Sequence, residues 1–183
     1  DFSRYNYFYA NYLLRSGKVK EAKKVINTSL NRYPRNLLLN QFKLDLDKMK
    51  NKTIFNCNRQ EHVIAEILYI TANALSSQSI FSLSNYYLNL AKYLNKDFLS
   101  YDTLLSENFY KIDNLSDSKK IYENLGKGGD AYKWYSTKQL VRILLKEQKK
   151  DKAISIMSKT YENLKFKGLY ETFDYAEFLK NND

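Results

Sequence analysis

The sequence predicts an all-α chain, with helical hairpins stacked side by side into an α-solenoid of about ten helices. Three observations predict this. The 183 residues hold one proline and five glycines, too few breakers for a turn-rich β fold. Apolar residues recur at helical spacing rather than alternating. Small residues return at a near-constant interval: Ala72, Ser106, Val141 and Ala176 lie 34, 35 and 35 positions apart, and Ser84, Ser118 and Ala153 lie 34 and 35 apart. A small residue at fixed register lets two helix axes approach closely.

The elements follow in order. A first helix over 2–16 carries Tyr5, Tyr9, Tyr12 and Leu13 at helical spacing around Ala10, so these tyrosines are expected to pack as core. Ser16-Gly17 turns the chain. A second helix over 19–32 presents Val19, Ala22, Val25, Ile26 and Leu30, and Pro34 closes the unit. Leu39, Phe42, Leu46 and Met49 mark a helix over 36–50. The stretch KNKTIFNCNRQE is too polar and irregular for its partner. The second hairpin therefore lacks a regular second helix, and a link over about 51–61 takes its place, with Ile54 and Phe55 tucked against neighbours. Further helices are expected over 62–77, 80–94, 98–111, 115–125, 130–147, 150–164 and 169–181. Asp117 and Asp151 supply negative charge near two helix starts. Residues 1–183 read as one domain whose hairpins each bury a stripe against the next.

Composition bounds the function classes. At 44% hydrophobic the chain builds a real core. Cys57 stands alone, so there is no internal disulfide, and no run of 18 apolar residues predicts a membrane span. A net charge of +10 suits nucleic acid, an anionic surface or an acidic protein. The lysines are scattered rather than clustered, however, and Lys, Asn, Ile and Tyr rise together as they do under A/T-rich codons, so a nucleic-acid partner is not expected. The chain opens on Asp1 without a basic-then-apolar leader, and FLKNND stops while an apolar stripe still runs. It is expected to be a fragment of a longer protein, with compartment and oligomeric state left open.

Chemistry-bearing residues are sparse. His62 and Cys57 are the only members of their types, two ligands at most where zinc needs four, and too few for an oriented nucleophile–base pair. His62 and Glu66 read as a surface pair at i, i+4. GKGGD at 126–130 lacks the phosphate-loop spacing and reads as a flexible connection between hairpins. The sequons at Asn27, Asn51 and Asn114 are expected by chance in an Asn-rich chain. No metal, no cofactor and no catalysis are expected.

The hairpin period resembles that of the tetratricopeptide repeat family, a helix pair of about 34 residues with a small residue in each helix and a proline near the end. Residues 3–36 carry Ala10, Gly17, Ala22 and Pro34 in that register, and residues 134–167 keep Leu140, Leu144, Ala153 and the KKDKAI turn. The segment from Ala65 to Leu94 resembles a stretch of longer bacterial proteins of the family, which implies a bacterial origin. The resemblance implies a right-handed solenoid whose first helices line a concave groove. Its groove positions, carried onto this chain, are Arg4, Tyr7, Asn11 and Arg15; Gln41 and Asp45; Glu66, Tyr69, Asn73 and Ser77; Thr103, Glu107 and Tyr110; Tyr135, Lys138, Arg142 and Lys146; and Phe173, Glu177 and Lys180. The family's clamp for C-terminal carboxylates needs a lysine where Tyr7 stands. The implied function is a scaffold or adaptor binding a protein or peptide in the groove. Lys138, Arg142 and Lys146 step along one face and point to an anionic contact there. The alternative is a basic repeat protein binding nucleic acid or an anionic envelope component.

Overall fold

A computed structural model describes residues 3–48 and 54–182. The described residues form ten helices and no strand: α1 (Ser3–Arg15), α2 (Val19–Arg32), α3 (Leu37–Asp47), α4 (Gln60–Ser77), α5 (Phe81–Leu94), α6 (Ser100–Lys111), α7 (Leu115–Leu125), α8 (Asp130–Lys146), α9 (Lys150–Glu162) and α10 (Leu169–Asn182). None is long and apolar enough to cross a membrane.

Four hairpins, α1–α2, α4–α5, α6–α7 and α8–α9, share one construction. Each turns through a residue of positive φ: Gly17 (76°), Ser79 (64°), Asp113 (63°) and Gln148 (60°). Each of these lies seven positions after the small residue of its first helix, Ala10, Ala72, Ser106 and Val141. The amide after it reaches back five residues, Lys18 to the Leu13 carbonyl, Ile80 to Leu75, Asn114 to Phe109 and Lys149 to Leu144, closing the helix end as a left-handed cap does. Only the first hairpin uses the glycine that suits this conformation.

The small residues sit where the helices touch. Ala10, Ala22, Ala72, Ser84, Ser106, Ser118 and Ala153 are completely buried. Twelve positions separate the pair in each hairpin, and where the second member is serine its hydroxyl donates to the first member's carbonyl. Ser84 Oγ bonds the Ala72 oxygen at 2.8 Å and Ser118 Oγ the Ser106 oxygen at 2.9 Å. Between α4, α5 and α6 the buried Asn108 accepts from Ser76 Oγ and donates to Ser84 Oγ and Asn85 Oδ1. This satisfied network fixes the register of three helices. Ala176 differs: α10 packs on α9, and Ala176 is exposed.

The link behaves as expected over its described part. Phe55 is buried and stacks on Phe8 with ring centres 4.1 Å apart, and Ile54 joins the same core. Met49 and residues 51–53 lie outside the described residues. Asn51 does too, whereas Asn114 caps α7 by accepting from the Asp117 amide. Asp117 and Asp151 stand in the first turns of α7 and α9.

Several expectations are corrected. Tyr5, Tyr9 and Tyr12 are exposed at 52%, 53% and 62%, because the face of α1 that carries Ala10 also carries Ser3, Tyr7 and Leu13, and those are the buried residues. Val19 is likewise exposed. His62 and Glu66 are not a surface pair. Both are buried: the Nδ1 of His62 accepts from the Asn56 amide, and Glu66 binds Arg4. Burial, then the charge of Arg59, lowers the His62 pKa below its ordinary value. The GKGGD segment joins α7 to α8 as expected but is a docking point rather than a flexible connection. Gly129, at φ 141°, faces Gln41 so closely that a Cβ there would lie 2.2 Å from the side-chain nitrogen.

The stack also changes course after α3. α1, α2 and α3 pack on one another, and α4 to α10 pack in succession, but α3 lies against α8. Gln41 Oε1 accepts from the Ala131 amide at 3.1 Å, Lys48 pairs with Asp130 at 2.6 Å, and Arg35, just before α3, pairs with Asp174 of α10 at 2.6 Å. The first three helices thus fold back across α4, α6, α8 and α10.

Candidate functional site

That fold-back encloses a cleft of about 400 Å³. One wall comes from Ser3 and Arg4 of α1 and from Asn36, Leu37 and Leu38 at the start of α3. The other comes from Tyr69 and Asn73 of α4, Ser100, Thr103 and Glu107 of α6, and Tyr132 of α8. Hydroxyl, amide, aromatic and charged groups converge here, on helices rather than on loops.

Arg4 is the anchor of the first wall. Its guanidinium makes a two-pronged contact with the Glu66 carboxylate, lies 3.8 Å from the Tyr69 ring centre and 4.7 Å from that of Phe98. Burial pulls its pKa down, but the hydrogen bond and charge of Glu66 outweigh this, and the net shift is upward. A planar guanidinium serves both the carboxylate and the rings, a combination lysine does not offer. Burial raises the Tyr69 phenol, so it meets a ligand as a neutral hydroxyl.

Of the residues that the repeat register assigns to a groove, Arg4, Tyr69, Asn73, Thr103 and Glu107 line this one cleft. Glu107 continues it into a second group. Its carboxylate accepts from Tyr135 Oη at 2.9 Å and lies 4.0 Å from Arg142, whose guanidinium sits 3.7 Å over the Tyr110 ring, with Lys146 at 5.4 Å from the same ring. The remaining positions lie elsewhere. Tyr7 is buried beneath the cleft, against Phe42 and Phe98. Asn11 donates to the Phe55 carbonyl and Arg15 to Asn56. Gln41 and Asp45 hold each other and the α8 start. Ser77 bonds its own helix, and Phe173, Glu177 and Lys180 lie exposed on α10.

The row Lys138, Arg142 and Lys146 is not an unneutralised basic face. Lys138 pairs with Asp174 at 2.5 Å, Arg142 approaches Glu107, and Lys146 pairs with Asp113 at 2.5 Å. The Asp113 bond raises the Lys146 pKa. Burial works to raise the Asp174 pKa, but Lys138 and Arg35 overcome it and hold the carboxyl below its usual range. The sequence gives no sign of these acids, because each comes from a different helix or turn.

No group of three or more metal-ligating side chains exists among the described residues, and Cys57 is exposed. No protein-family model matches this chain, and no curated protein does.

Proposed function

We propose that the chain is a right-handed solenoid of tetratricopeptide-like hairpins that serves as a scaffold or adaptor, binding a segment of protein or peptide in the cleft between α1–α3 and α4, α6 and α8. The recurrent hairpin, with its buried small pair and its left-handed turn residue, supports the resemblance. The observation that carries the binding role is the cleft lining. Asn73 offers an amide suited to an extended backbone, Tyr69 offers flat contact area, and Thr103 and Glu107 add a hydroxyl and a carboxylate on the same wall. The internal pairing of Lys138, Arg142 and Lys146 favours this reading over a nucleic-acid one, since binding phosphates relies on cations available to displace counterions.

Peptides selected on the wild-type protein from a random display library test the proposal. Asn73→Ala and Arg142→Ala, both at exposed sites, are expected to weaken the selected peptides about tenfold or more, corresponding to roughly 1.4 kcal/mol. Equal affinity for wild type and both variants would overturn it.

A further inference from the structure

The residues of α1 that meet α4 and its preceding link are Arg4, Phe8, Asn11 and Arg15. Arg4 reaches Glu66 and Tyr69, Phe8 and Asn11 reach Phe55, and Arg15 reaches Asn56. The start of α1 therefore lies beside the middle of α4, and its middle lies, across Phe55, on the side of the His62 turn at the start of α4, so the two helices run in opposite directions. The residues that follow Arg4, Phe8 and Asn11 are Tyr5, Tyr9 and Tyr12. On α4, where His62 lies against Phe55 and where Glu66 and Tyr69 meet Arg4, the next residues are Val63, Ile67 and Ile70. One step along a helix is a rotation of about 100°. In an antiparallel pair, equal rotations bring both rows out on the same side. A stripe of tyrosines on α1 and a stripe of aliphatic residues on α4 thus come out on the same side of the molecule.

That surface is exposed and uncharged. The six residues are between 39% and 62% accessible, and together they present roughly 650 Å² of accessible area, mostly apolar, approaching the ~800 Å² each partner buries in a standard-size interface. Residues 5–14 carry no charge, and residues 63–91 carry only Glu66, which is buried and paired with Arg4. The whole chain carries a net charge of +10, so its positive excess lies outside these stretches.

We propose that this α1–α4 face is a homodimer interface, occupied by the same face of a second copy of this chain. Two molecules of charge +10 repel across most of their surfaces, and a neutral face is where they meet at least cost. A two-fold axis running along the α1–α4 seam lays the tyrosine stripe of each copy on the aliphatic stripe of the other, a self-complementary arrangement. An acidic partner gains nothing from a face with no charge to pair.

Sedimentation equilibrium across the micromolar range tests this. The wild type is expected to dimerise, more tightly as salt screens the like charges. Ile67→Glu and Tyr9→Lys, both at exposed positions and expected to keep the wild-type helical circular dichroism, are each expected to weaken association more than about tenfold. An equimolar mixture of the two is expected to recover a dimer, because Tyr9 of one copy faces the Val63–Ile67 stripe of the other. A monomeric wild type, a dimer indifferent to both variants, or a wild type that is monomeric yet binds neutral lipid vesicles through this face would each overturn the proposal.

Discussion

Gln148 turns the chain between α8 and α9 at a φ of 60°, a conformation that costs an L-residue roughly 1–2 kcal/mol relative to glycine. Gly17 adopts the same geometry without that cost, and so shows what the turn requires. Replacing Gln148 by glycine is expected to raise stability by about 1 kcal/mol, less the added chain entropy of glycine when unfolded, seen as a higher urea midpoint at unchanged slope. A lower midpoint would mean that the Gln148 side chain holds the turn by a contact. A search for turn glycines finds only the first hairpin. The three other turns become legible only by counting seven residues on from Ala72, Ser106 and Val141. The buried small residues were legible for a related reason: no larger side chain fits where two backbones lie close, so composition is constrained there.

Among the elements, α1 shows where periodicity alone misleads. Tyr5, Tyr9 and Tyr12 sit at helical spacing, and so do Ser3, Tyr7 and Ala10. Both stripes look apolar, so spacing leaves the phase of the helix open. Ala10 decides it, since a small residue marks the closely packed side, and Ser3, Tyr7 and Leu13 share that side. The break after α3 was legible as an irregular link, but the destination of α3 was not, because it depends on single long-range contacts such as Gln41 with the Ala131 amide. One local sign existed. GKGGD places glycines where backbone meets another element, and Gly129 leaves room for Gln41. Gly129→Ala is expected to destabilise the protein by about 1–3 kcal/mol, through both the forced φ and the crowding of a buried side chain. Urea unfolding measures this, and a neutral effect would show that α3 does not bear on α8 at this point.

At the scale of the whole molecule, hairpins that each leave a stripe uncovered hide it by packing on their neighbours, and the first three helices hide theirs partly by folding back. The core that contains Tyr7, Ala10 and Leu39 also contains Ala65, Ala72, Phe98 and Tyr101, so the two groups of helices share one interior. The candidate cleft exists because of that fold-back. In an uninterrupted stack, α3 and α10 would stand four inner helices apart, about 40 Å at 8–10 Å per packed helix. Here Arg35 touches Asp174 at 2.6 Å.

The distance between spin labels at these two positions, carried by Arg35→Cys and Asp174→Cys with Cys57→Ser, is therefore the most direct test. The fold-back predicts a narrow distribution near about 20 Å, whereas a continuous stack of packed helices would give about 40 Å or more and would contradict the arrangement that forms the cleft.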